Sequence, residues 1–123
     1  MARFVYQELS YAIVGAAMEV HKVLGAGFLE KVYQKALVHE LALRGISFEE
    51  YKRLTVRYKG VVVGDYEADI VVDGKMILEL KAVKDIHPKH MAQARNYLKA
   101  TGFKLGIVLN FGASSLQHRR AVN

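Results

Sequence analysis

Apolar side chains at Leu9, Ile13, Ala16, Ala17, Val20 and Leu24 recur at the spacing that gathers one face of an α-helix. The pattern predicts an amphipathic helix over residues 7–24, broken by Gly25-Ala26-Gly27. Leu29, Val32, Ala36, Leu37 and Leu41 repeat that spacing over residues 28–44, and Gly45 supplies a C-terminal stop. From Ile46 the period changes. Val56, Tyr58 and the run Val61-Val62-Val63 favour extended backbone, punctuated by Gly60 and Gly64. Residues 66–72 and 75–82 read as a hairpin about Asp73-Gly74. Pro88 stands where a helix begins, and that helix runs to Thr101 and stops at Gly102. Leu105-Gly106-Ile107-Val108-Leu109 is a short apolar strand of the kind buried on both faces. The order is α-α-β-β-β-α-β with a basic tail. It describes an α/β (α+β) domain whose mixed central sheet is flanked by helices.

The hairpin constrains its own register. Ala68, Ile70 and Val72 in its first strand and Met76, Leu78 and Leu80 in its second are all at even positions. They face one core only if even pairs with even. A two-residue Asp73-Gly74 turn breaks that rule. A three-residue loop, Val72-Asp73-Gly74 with Gly74 left-handed, keeps it and pairs 71 with 75, 69 with 77 and 67 with 79. Glu67, Asp69, Glu79 and Lys81 then share the face opposite the core. Asp69 and Glu79 become diagonal neighbours within reach of one ion. Magnesium suits such a place, because it takes one or two carboxylates and fills its other positions with water and phosphate oxygens. An ordinary solvated sheet face with cross-strand ion pairs is the competing reading of the same residues.

Composition narrows the classes. The 123 residues fit one domain, 1–123, with 52% hydrophobic and 24% charged side chains. The chain has no cysteine, which excludes disulfides, cysteine-ligated zinc and thiol catalysis. The N-terminal residues lack the apolar core of a signal peptide, and no stretch approaches the ~20 apolar residues of a membrane span. A cytoplasmic protein is expected. The net charge of +6 is unevenly spread: residues 1–80 carry 10 basic and 11 acidic side chains, whereas residues 81–123 carry 8 basic ones and only Asp85 as an acid. A basic last third suits either phosphate backbones or a solubilising surface.

An acid in one strand followed by Glu-x-Lys in the next, here Asp69 and then Glu79-Leu80-Lys81, resembles the motif of the PD-(D/E)XK nuclease superfamily. Gly27-Phe28-Leu29-Glu30-Lys31-Val32-Tyr33 resembles the GxxExxY signature of a family of small bacterial and archaeal proteins within it. His90-Met91-Ala92-Gln93, Asn96 to Gly102 and Asn110-Phe111-Gly112 follow in that family's order. Gly25-Ala26-Gly27 departs from the Gly-Pro-Gly of many relatives without touching a proposed role. The order GxxE, Asp, ExK, Gln-x-x-x-Tyr is also that of RecB-like nuclease domains.

The resemblance implies a restriction-endonuclease-like core and a Mg²⁺-dependent nuclease, with Mn²⁺ as a substitute, acting on nucleic acid, DNA in the first place. Asp69 and Glu79, with Glu30 as an additional carboxylate, would hold the metal beside Lys81. Gln93, Tyr97 and His90, together with Lys84 and Lys89, would face the nucleic acid. Tyr33 is expected to pack and to hydrogen-bond to the site, His21 and His87 to be structural, and Asn110 and Phe111 to serve a turn or cap. Arg119 and Arg120 are candidate phosphate contacts. A homodimer would present two sites to two strands. The competing functions are a non-cleaving nucleic-acid-binding module on the same fold and a small regulatory or partner-binding protein.

Overall fold

A computed structural model describes residues 6–123. Helix α1 spans Gln7–Leu24 and α2 spans Glu30–Leu43. Strands β1 (Phe48–Tyr58), β2 (Val61–Val72) and β3 (Met76–Lys81) follow, then α3 (Pro88–Thr101), β4 (Leu105–Asn110) and β5 (Gln117–Val122). The five strands form one sheet in the order β1-β2-β3-β4-β5. All neighbours are antiparallel except β3 and β4, which are parallel and joined through α3. The mixed sheet flanked by helices is thus observed, and so is the order of its first seven elements. None of the described helices is long and apolar enough to cross a membrane.

Local chemistry sets the boundaries. Gly45 (φ 71°) ends α2 in a Schellman motif, with Gly45 N–H donating to Ala42 O (3.0 Å) and Ile46 N–H to Leu41 O (2.9 Å). Pro88 opens α3, and Gly102 closes it in the left-handed conformation. His87 and His90 act together at the α3 N-terminus: His87 Nδ1 accepts from Lys89 N–H (3.0 Å), and His90 Nδ1 accepts from His87 N–H (3.0 Å). This is a capping box built from two histidines.

Two expectations need correction. The basic tail is not a tail but β5, whose pairing with β4 turns Arg120 toward α1 to donate to Ser10 Oγ (2.6 Å). As the punctuation at Gly60 suggests, Lys59 and Gly60 both take positive φ (49° and 82°) and make the turn between β1 and β2, so the run Val61-Val62-Val63 opens β2. The hairpin of β2 and β3 does pair even with even, but as Val72↔Met76, Val71↔Ile77 and Ile70↔Leu78, two positions away from the predicted register. Asp73 (φ 53°) and Gly74 (φ 63°) form the tight turn, closed by Lys75 N–H to Val72 O (2.9 Å), and Lys75 adds one loop residue before the ladder begins.

The sheet has a core on each face. Ile13, Ala16, Ala17 and Val20 of α1 and Tyr33, Leu37 and Leu41 of α2 pack on Ile70, Val72, Met76, Leu78, Leu80, Leu105, Ile107 and Leu109. On the other face Ala94 and Leu98 of α3 pack on Leu54, Tyr66, Ala68, Val71, Ile77 and Val108. The face expected to be solvated therefore lies under α3. β2 also changes sides along its length: Tyr66 and Ala68 join the α3 cluster, whereas Ile70 and Val72 join the α1–α2 cluster. The switch falls at Asp69, opposite a stretch of β1 in which Tyr51 is left-handed (φ 51°) between Glu50↔Ile70 and Lys52↔Ala68.

Candidate active site

β2 and β3 part company just past Ile70↔Leu78, and the candidate site occupies the gap. Asp69 does not continue the ladder; its Oδ2 accepts the Leu80 N–H (2.8 Å), so a side chain stands in for a strand. Glu79, half-buried one residue earlier on β3, accepts a short hydrogen bond from the Tyr66 hydroxyl through Oε2. The Tyr66 ring is buried and stacks on Tyr97 of α3, with centroids 3.6 Å apart and planes within 10°. Gln93, one turn before Tyr97, directs its amide toward the Tyr97 hydroxyl at 3.4 Å.

The electrostatics are those of two neighbouring, partly buried acids. Burial, and then the charge of Asp69, push Glu79 up to about 7. The Tyr66 hydroxyl, a backbone hydrogen bond from Asp69 and the charge of Lys81 pull it only part of the way back. Burial, with a smaller push from the charge of Glu67, also raises Asp69, against the Leu80 N–H and Lys81. The Tyr66 hydroxyl is raised in turn, by burial first and by Glu79 second. Lys81 acts on His90 as well, adding to the burial that holds that imidazole below its ordinary value. Asp69, Glu79, Lys81 and His90 thus form one electrostatic neighbourhood, with Tyr97 and Gln93 on the α3 wall beside it.

Other expected partners lie elsewhere. Glu67 is exposed and in register with Arg53 of β1, on the opposite side of β2 from Tyr66, yet its charge still reaches Asp69 and helps to raise it. Glu30 is exposed at the start of α2, and its charge is not among those acting on Asp69 or Glu79. Among the described residues no three His, Asp or Glu side chains form a group able to hold a metal ion. Lys84 and Lys89 are exposed near the start of α3. The Tyr33 hydroxyl donates to Gly25 O and accepts from Phe28 N–H (3.1 Å), and its ring stacks on Phe111 at 4.7 Å. It pins the loop before Glu30 rather than bonding to the carboxylates. His21 is structural, its Nε2 2.9 Å from Ala113 O.

Two contributors carry no motif. Gln34, buried and one helical turn after Glu30, donates to Asp69 O (3.1 Å) and to Glu50 Oε2 (3.1 Å), tying α2 to the point where β2 changes sides. Tyr66 is the other. Beyond the site, Asn110 is fully buried with every polar atom engaged. Its Oδ1 accepts from Val83 N–H (2.9 Å) and Gly112 N–H (3.0 Å), and its Nδ2 donates to Val83 O (2.9 Å) and Gln117 Oε1 (2.9 Å). A β-carbon at Gly112 would overlap the backbone of Ala82 and Val83. The cap expected of Asn110 is thus a clamp on the chain leaving Lys81.

Residues 7–121 match the family model of the PD-(D/E)XK nuclease superfamily. The chain belongs to that superfamily. Its members are linked to nucleic-acid cleavage, and the superfamily places this site in that context. Among solved structures, the crystal structure of SSO0001 superposes with a TM-score of 0.60 at 16% identity, over 76% of this chain and 50% of that one. At that identity the likeness is one of fold, and the PD-(D/E)XK chain described here spans half the length of that neighbour. No curated protein matches the sequence.

Proposed function

We propose that this chain is a metal-dependent nuclease that hydrolyses phosphodiester bonds, with DNA as the first substrate to test, and that it is of the GxxExxY kind with a RecB-like order of motifs. The observation that carries the reading is the nearness of the partly buried Asp69 and Glu79, with Lys81 beside them, at the point where the β2–β3 ladder ends. Two acids held so close, one of them pushed up to about 7, leave a site short of positive charge. Lys81 offsets this only in part, and a divalent cation fits the remainder. Mg²⁺ needs only one or two carboxylates from the protein, which Asp69 and Glu79 can supply, and Mn²⁺ prefers the same oxygen donors.

Bound there, the cation would neutralise charge on the phosphate and acidify a water. The protein's own groups do the rest. Leu80 N–H fixes the Asp69 carboxylate, and the Tyr66 hydroxyl fixes Glu79. The Lys81 ammonium stabilises charge that develops on the phosphate in the transition state. Gln93, Tyr97 and His90 line the α3 wall on which the backbone would rest, with Lys84 and Lys89 as phosphate contacts. Glu30 stays an outlying acid, one turn from Gln34, where it serves to position water.

Incubation with single- and double-stranded DNA and RNA tests the reading, in Mg²⁺, Mn²⁺ or EDTA and with Glu79→Gln purified in parallel. Cleavage that requires metal and disappears in the variant is the expected result. Salt-sensitive binding without cleavage under any condition would instead assign a non-cleaving module.

A further inference from the structure

The β1–β2 hairpin outruns the sheet. β2 pairs with β3 only over Ile70 to Val72 but with β1 out to Tyr58↔Val61. Residues 52–68 therefore form a two-stranded ribbon that begins next to Asp69. The six steps from Lys52 to Tyr58, at about 3.3 Å each, give it a reach of about 20 Å. Its base is held under α3 by Leu54, Tyr66 and Ala68, whereas residues 57–65 are exposed on both faces. The left-handed Lys59-Gly60 turn closes the tip tightly, and a bulge between Val56↔Gly64 and Arg57↔Val62 adds twist just behind it.

The outer ribbon is built for something other than folding. Tyr58, Val61, Val62 and Val63 are 62%, 61%, 55% and 60% exposed, and none joins either core. Residues 51–64 contain Lys52, Arg53, Arg57 and Lys59 and no acid. Lys52 and Arg53 are answered by Glu49 (3.0 Å) and Asp65 (2.9 Å), but Arg57 and Lys59 make no ion pair among the described residues.

We propose that this ribbon is an arm that enters a groove of double-stranded nucleic acid lying across the Asp69–Glu79 site. The substrate class rests on the nuclease reading above. Strands about 4.8 Å apart fit a major groove about 12 Å wide. Arg57 and Lys59 then meet phosphates on the groove walls, and the valines meet base edges and methyl groups. Because the ribbon begins next to Asp69, a duplex seated on it passes the carboxylates. Charge decides against a second copy as the occupant, since two such tips bring together four cations and no acid.

The test is fluorescence anisotropy with a short labelled DNA duplex and its separated strand, in EDTA and over a salt series, comparing the full chain with Arg57→Ala/Lys59→Ala. Loss of two phosphate contacts should weaken duplex binding about tenfold or more and lower the slope of log K against log salt by about two. Single-strand binding should change less than about twofold, with the circular-dichroism melt unmoved. Unchanged duplex binding overturns the proposal, and so does equal loss on both substrates. A wild-type dimer that Val61→Ser/Val62→Ser dissociates would make the tip a self-association surface and overturn it too. The two readings fail separately. Cleavage with an unimportant arm removes only the arm, whereas arm-dependent duplex binding with no cleavage in any metal removes only the nuclease.

Discussion

Replacing Lys81 by alanine should slow phosphodiester cleavage by about 10²–10³-fold, the usual cost of deleting one preorganised group that stabilises transition-state charge. Lys81 closes β3 and is half-buried beside Asp69, Glu79 and His90, all of which feel its charge. It takes no part in a salt bridge among the described residues, so its removal leaves no broken ion pair in the fold. The rate should therefore fall under single-turnover conditions while the thermal midpoint holds within a few degrees. Cleavage that survives at the wild-type rate would remove Lys81 from the mechanism.

The second large effect is on stability. Glu79 sits at about 7 in the fold against 4.5 for the free side chain, chiefly because burial penalises its charge. Between those values the folded chain keeps a proton that the unfolded chain has released. Stability is thus highest below the unfolded value and falls as pH rises through the folded one. Above pH 7 the full cost applies, on the order of 3 kcal/mol. Glu79→Gln removes the charge and keeps an acceptor for Tyr66, so it should be more stable than wild type at pH 8 and about equal to it at pH 5. Thermal melts of the metal-free proteins across that range read the difference. A variant less stable than wild type at pH 8 would show that the glutamate belongs to the fold rather than to function.

Much of this architecture is legible in the order of residues. The helical spacing of α1 and α2, Pro88 at the start of α3 and the glycines at 45 and 102 specify elements through local chemistry, and each stands where that chemistry puts it. Asp69, Glu79 and Lys81 do come together, just beyond the end of the hairpin ladder at Ile70↔Leu78, where the Asp69 side chain accepts the Leu80 N–H. What fails does so for non-local reasons. Strict alternation puts Tyr66 on the same side as Ile70 and Val72; the change of side at Asp69 moves it under α3, where it meets Glu79, and only β1, with its left-handed Tyr51, shows where alternation stops. β5 hides in Gln117-His118-Arg119-Arg120, a polar run that becomes a strand because β4 offers it an edge. Gln34 could have been flagged by its place one turn after Glu30, but its partner, a backbone carbonyl, leaves no mark in sequence. Four basic residues without an acid between 51 and 64 were visible from the start, masked by the larger excess after residue 80.

The central claim is that Asp69 and Glu79 form one cation site, and Mn²⁺ titration followed by calorimetry at pH 8 tests it most directly. Wild type should bind the ion at a site that Glu79→Gln and Asp69→Asn each abolish, while Lys81→Ala retains it. Equal Mn²⁺ affinity in wild type and both carboxylate variants would contradict the account, and so would no binding in any of them.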